Sequence, residues 1–160
     1  MEEFQKARDE AKKNIKIADH MLSVTYPLIK DPKLLLAIIE NIFLAYTNAM
    51  NAIVYYDRLF KRIPPFQDSF ESRFNVFRQR CLIKHNLPRN FATEIQELKD
   101  IITEHKNSPI EFSRNDKFVI CSDNYRIKTI SLNDIKNYIE KAKLFIQAMD
   151  NIVGKDGLFR

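Results

Sequence analysis

Apolar residues recur three and four positions apart over most of the chain, and the pattern divides it into helices. Between residues 3 and 26, Phe4, Ala7, Ala11, Ile15, Ala18, Leu22 and Tyr26 keep that spacing, while Glu2, Lys6, Asp9, Lys12, Lys13 and Lys16 face elsewhere. Ile17, Met21 and Val24 add a second apolar line, so the second half of this helix should be covered on two sides. Pro27 restricts Tyr26 and is expected to bend or end it. Asp31-Pro32 then restarts a helix, with Asp as cap and Pro at a first position that has no amide to lose.

The second helix should run from Pro32 to about Arg62, roughly 45 Å at 1.5 Å per residue. Leu35, Ile38, Ile39, Ile42, Phe43, Tyr46, Ala49, Met50, Ile53, Tyr56 and Phe60 wrap more than half its circumference. The remaining stripe, Glu40, Asn41, Thr47, Asn48 and Asn51, is mostly short and uncharged where a solvated face carries Lys and Glu. Such a line should be partly buried and find partners on neighbouring helices, or else form a site or a dimer seam. Pro64-Pro65 breaks the chain, and a third helix shows Phe66, Phe70, Phe74, Phe77 and Cys81, a core stripe. Asn90 is expected to cap a fourth helix carrying Phe91, Ile95, Leu98 and Ile102, closed by Asn107-Ser108-Pro109.

The period then changes. Segments 110–112 and 117–121 flank the turn-like Arg114-Asn115-Asp116, and Ser122-Asp123-Asn124 separates them from the alternating 125–130. Three such strands cohere only with one face on the helices. Ser131 caps the last helix, with Asp134 three residues on. Its seam is Leu132, Ile135, Ile139, Ala142, Ile146, Met149 and Val153, and Gly154 stands where a helix stop belongs. The expected fold is mainly α: a single-domain (1–160) up-and-down bundle of about five helices. A three-stranded antiparallel β-meander (110–130) is inserted before the last helix, and 154–160 form a flexible tail.

Apolar residues at 45% and charged residues at 29% exclude wholesale disorder. The only glycines are Gly154 and Gly157, so no P-loop or dinucleotide fingerprint can be built before them. Cys81, Cys121, His20, His85 and His105 show no metal-ligand spacing, and no cofactor or metal is expected. The start of the chain is acidic and polar rather than signal-like, and the apolar runs are interrupted short of a span. A cytoplasmic setting without membrane contact is the expectation.

Charge is uneven. Arg58, Lys61, Arg62, Arg73, Arg78, Arg80, Lys84 and Arg89 face only Asp68 and Glu71, a net +6 between residues 58 and 89 in a chain of net +5. A cationic region of this kind suits a phosphate backbone, and these eight residues are the candidate RNA contacts. A solvated surface or an acidic protein partner would also account for them.

Within the window Arg80 and His85 enclose Cys81-Leu82-Ile83-Lys84, and counted from Arg78 the gap is six. Two long antiparallel helices, a shorter third, and an Arg/His pair at the junction to a fourth resemble the HEPN superfamily of helical domains over roughly residues 3–105. The resemblance implies homodimers. It also implies either metal-independent endoribonucleases or inactive modules that bind RNA, nucleotides or proteins. Carried over, Arg80 (or Arg78) would stabilise the phosphate and His85 would act on the ribose 2′-hydroxyl or the leaving oxygen. The leading expectation is a non-catalytic module binding RNA or an RNA–protein assembly through residues 58–89. The alternatives are the Arg80/His85 ribonuclease and a structural domain that pairs through its helical seams. Glu40, Asn41 and Glu94 have the chemistry for a site but no partner evident from spacing.

Overall fold

A computed structural model of the chain describes residues 1–107, 111–113, 117–121 and 127–154. They are mainly helical. Helix α1 is continuous through Glu3–His20, Met21–Thr25 and Tyr26–Ile29, and α2 is Lys33–Leu59. Helix α3 runs through Phe70–Val76, Phe77–Cys81 and Leu82–Lys84; α4 is Asn90–Asn107 and α5 is Leu132–Val153. Three short strands, β1 Glu111–Ser113, β2 Lys117–Cys121 and β3 Ile127–Ser131, pair antiparallel in that order between α4 and α5. The expected turns at 114–116 and 122–124 and the tail beyond Gly154 lie outside the described residues.

Several helix ends differ from the sequence expectation. Pro27 does not end α1, which continues to Ile29. Proline has no amide, and its ring crowds the carbonyl four residues back. The chain answers with a widened π turn at Met21–Thr25, where the Tyr26 amide donates to Met21 five residues back. The helix then ends at Lys30, which adopts a left-handed φ of 54°. Helix α3 starts at Phe70 under a Ser69 cap that accepts the Ser72 amide, so Phe66 belongs to the preceding loop. Asn90 is the first helical residue of α4 rather than its cap, and its side chain donates to Glu94 at 3.1 Å. Pro32 rather than Asp31 is the cap position of α2, and Asp31, one residue earlier, accepts from the Lys33 amide at 3.0 Å. Ser131 and Asp134 form a reciprocal capping box on α5.

Contacts between helices fix their directions. Phe4 meets the Tyr56 ring at 5.3 Å, and Asn48 donates to Asn14 at 2.8 Å, so α1 and α2 are antiparallel. Lys12–Asp150 and Lys143–Asp19 ion pairs set α5 antiparallel to α1. Helix α3, by contrast, runs parallel to α2: Phe70 lies near Phe43, Arg73 near Asn51, and His85 near Asp57. The segment 60–69 therefore returns along α2, with Phe66 beneath Arg58 and Asp68 against Tyr55. A strict up-and-down order is broken at this connection. Helix α4 turns back again, bringing Glu94 to Tyr46 and Lys99 to Glu71.

The core centres on Phe145, which packs against Tyr46, Phe77 and Phe91 at 4.7 to 5.6 Å. Such aromatic truncations cost about 3–5 kcal/mol. Helix α2 is long and apolar enough to cross a membrane by length and composition, but Leu35, Ile38, Ile39, Ile42, Tyr46 and Ile53 are fully buried within the bundle. Its polar stripe is largely absorbed by partners. Asn41 donates to Ala37, Asn48 to Asn14, and Asn51 accepts from Arg73, whereas the buried Thr47 hydroxyl has no hydrogen bond among the described residues.

Candidate nucleic-acid interface

The helix directions bring three C-termini, those of α2, α3 and α5, to the end of the bundle that also holds the N-termini of α1 and α4. Every cation of the 58–89 window except Arg73 is within about two turns of that end. Part of the charge is locally matched. Arg58 pairs with Glu3 at 3.2 Å and lies over the Tyr55 and Phe66 rings. Arg73 is 15% exposed and bonds both Asp68 and Asn51. Arg62 stands 4.0 Å from Asp57 and stacks over Tyr56 and Phe60. Among the described residues, Lys61, Arg78, Arg80, Lys84 and Arg89 are all exposed and pair with no carboxylate.

Beneath these cations sits a carboxylate. Asp57 is 0% exposed at the last turn of α2. The His85 imidazole, just past α3, donates through Nε2 to both its oxygens at 2.9 and 3.0 Å. The Cys81 thiol, one turn back, lies close enough to feel its charge. Burial, and then the Asp57 carboxylate, push that thiol far above its ordinary range, so it stays protonated rather than acting as a nucleophile. A buried carboxylate is tolerable only with a donor such as this imidazole against it. Asp57 and His85 meet through the Nε2–H bond, and no three His, Cys, Asp or Glu side chains among the described residues are arranged to hold a metal ion.

The same arrangement orients His85. Since a carboxylate only accepts, Nε2 carries the proton, and Nδ1 has no hydrogen bond among the described residues. His85 lines a cavity of about 460 Å³ together with Tyr56, Arg62, Leu87, Asn151 and Ile152. The guanidinium that shares this cavity is Arg62; no contact among the described residues joins Arg80 to His85. Sequence reasoning missed both Asp57 and the part of Arg62. Of the other candidates, Glu94 is buried against the Tyr46 hydroxyl and Asn90, a core polar pair. Glu40 is exposed, and Asn41 bonds its own helix.

A larger cleft of about 700 Å³ lies between α3 and α4. Phe74, Leu82, Leu87 and Ala92 give it apolar walls, and Arg78 and Arg89 line it. No family model matches the chain, and no curated protein is significantly similar to it.

Proposed function

We propose that the chain is a HEPN-like module that binds single-stranded RNA at the bundle end where α2 and α3 finish. The observation that supports this is the set of five exposed cations without carboxylates, Lys61, Arg78, Arg80, Lys84 and Arg89, gathered at one end. Neutralising about five phosphates of a single strand gives a log–log salt slope near −3.5, roughly a hundredfold weaker binding from 50 to 200 mM salt. Fluorescence anisotropy with an unstructured RNA oligonucleotide measures that slope. Joint reversal of Arg78 and Arg80 to Glu should flatten it by about 1.4 or more. Affinity indifferent to salt would overturn the reading. In this reading the three strands form a meander inserted beside the bundle, and the homodimer implied by the HEPN likeness is testable by light scattering.

One observation favours a second reading, metal-independent RNA cleavage. His85 has a buried carboxylate behind Nε2, no hydrogen bond at Nδ1 among the described residues, and lines a cavity together with Arg62. Nδ1 would accept the 2′-hydroxyl proton as that oxygen attacks phosphorus, the 5′-oxygen would leave, and Arg62 (with Arg80 from outside) would hold the phosphoryl oxygens. Cleavage in the presence of a chelator, lost in His85→Ala, is the expected result; His85→Ala cleaving at the wild-type rate would refute it.

A further inference from the structure

The cleft between α3 and α4 has a graded lining. These helices are antiparallel, with Lys99 paired to Glu71 at one end and the α3–α4 turn at the other. Along α4 its lining passes from Arg89 through Ala92, Thr93 and Gln96 to Glu97 and Asp100. The span is eleven helical rises, or roughly 16 Å. Arg78 enters from α3 near the middle, its guanidinium 5.9 Å from the Phe74 ring centre and its only hydrogen bond among the described residues a long one to Asn75. Apolar side chains thus separate two guanidinium groups from two carboxylates. Neither guanidinium is neutralised by a carboxylate among the described residues.

This is the polarity of a nucleotide read end to end: an anion, a flat apolar ring, and an edge of N–H donors. We propose that the α3–α4 cleft binds one purine nucleotide unit. Its phosphate sits between Arg78 and Arg89, its base lies on Phe74 and Ala92, and its amino edge faces Glu97 and Asp100. Guanidinium groups suit phosphate through paired charge-assisted bonds. Carboxylates suit guanine best, because N1–H and the N2 amine offer two adjacent donors, whereas adenine offers only its amine. A volume of about 700 Å³ accommodates a mononucleotide, within the range of small-ligand pockets. The proposal rests on the RNA reading, since the unit bound would be one unpaired base of the strand.

The test is titration of the intact chain with guanosine, adenosine and uridine 5′-monophosphates and with inorganic phosphate, followed by isothermal calorimetry. Guanosine monophosphate should bind most tightly, and inorganic phosphate at least tenfold more weakly, because it lacks the ring. Arg89→Ala should weaken the nucleotide about tenfold. Thr93→Trp, at an exposed position of α4, fills the cleft and should abolish binding while leaving the melting temperature within a few degrees. Equal affinity for phosphate and nucleotide, or full binding by Thr93→Trp, overturns the inference. The RNA oligonucleotide run on the same variants separates the two proposals. RNA bound with an unaltered salt slope but no saturable mononucleotide binding refutes the cleft and leaves the RNA reading standing. If RNA fails to bind while guanosine monophosphate binds as described, the cleft stands and the RNA reading falls.

Discussion

Replacing Asp57 tests whether the buried carboxylate organises the functional end of the bundle. It accepts two contacts from His85, at 2.9 and 3.0 Å, with the Cys81 thiol nearby and Arg62 at 4.0 Å. Arg62 is 37% exposed, so its attraction is largely screened and the imidazole bond dominates. A hydrogen bond to a charged group is worth about 1.5–3 kcal/mol, and removing one member of a buried ionic contact about 3–5 kcal/mol. Asp57→Asn, which keeps the volume and one acceptor, should cost about 2 kcal/mol, and Asp57→Ala about 3–5 kcal/mol. His85→Ala leaves the carboxylate with the thiol and a distant guanidinium, a loss of about 2–3 kcal/mol. The residues act on each other, so the double variant Asp57→Asn/His85→Ala should lose about 1.5 kcal/mol less than the sum of the singles. Urea unfolding at pH 7 reads this directly. With a slope near 2 kcal/mol/M, a loss of about 3 kcal/mol moves the midpoint by roughly 1.5 M. Single losses under about 0.5 kcal/mol, or strict additivity in the double variant, would refute the reasoning.

Because burial and then Asp57 raise the Cys81 thiol above its usual 9.0, the folded chain keeps a proton that the unfolded chain releases; stability should be whole below about pH 9 and fall above it. Cys81→Ser should remove up to ~1.4 kcal/mol per pH unit of that slope in chemical denaturation, and parallel curves for the two proteins above pH 9 would contradict this. The Thr47 hydroxyl is buried without a hydrogen bond among the described residues, so Thr47→Val should raise stability by about 0.5–1.5 kcal/mol, and a lowered melting temperature would count against it. Ser131→Ala removes the side-chain half of the α5 capping box and should cost about 1 kcal/mol in thermal unfolding, with no change in RNA affinity.

The helix content was legible because the 3,4 spacing is carried by residues that the bundle then buries: Phe4, Ala11 and Ala18 in α1, Ile135, Ile139 and Ala142 in α5. The Ser131 cap and the restart of the chain at Asp31-Pro32 were legible for a local reason, since each side chain bonds an amide two or three residues away. What escaped depends on tertiary direction. Nothing local to 60–69 says that it returns along α2, so the parallel course of α3 was not foreseen. Asp57 lies one residue outside the basic window and was passed over. Its signal was present all the same: it continues the line Tyr46, Met50, Ile53, and a carboxylate on a buried seam requires donors from elsewhere. The π turn at Met21–Thr25 likewise shows that a proline near a helix end can be accommodated upstream rather than by stopping.

Local electrostatics accounts for some of the cations and not for others. Helix C-termini carry partial negative charge, and a cation in the last turn gains about 0.3–1 kcal/mol. Arg58, Lys61, Arg62 and Lys84 sit at or just past the ends of α2 and α3, and that gain suffices to explain them. It does not extend to Arg78 and Arg80, which lie four to six residues inside α3. Arg89 is worse placed, immediately before the first residue of α4, where the dipole disfavours a positive charge. A cation kept against the local field implies an external anion or a neighbouring carboxylate, and Arg89 has no carboxylate partner among the described residues. The two residues that helix dipoles explain least, Arg78 and Arg89, are the pair that line the α3–α4 cleft. Fold stability is therefore the wrong assay for them: their charge reversals should leave the unfolding midpoint nearly unmoved and register in ligand affinity alone.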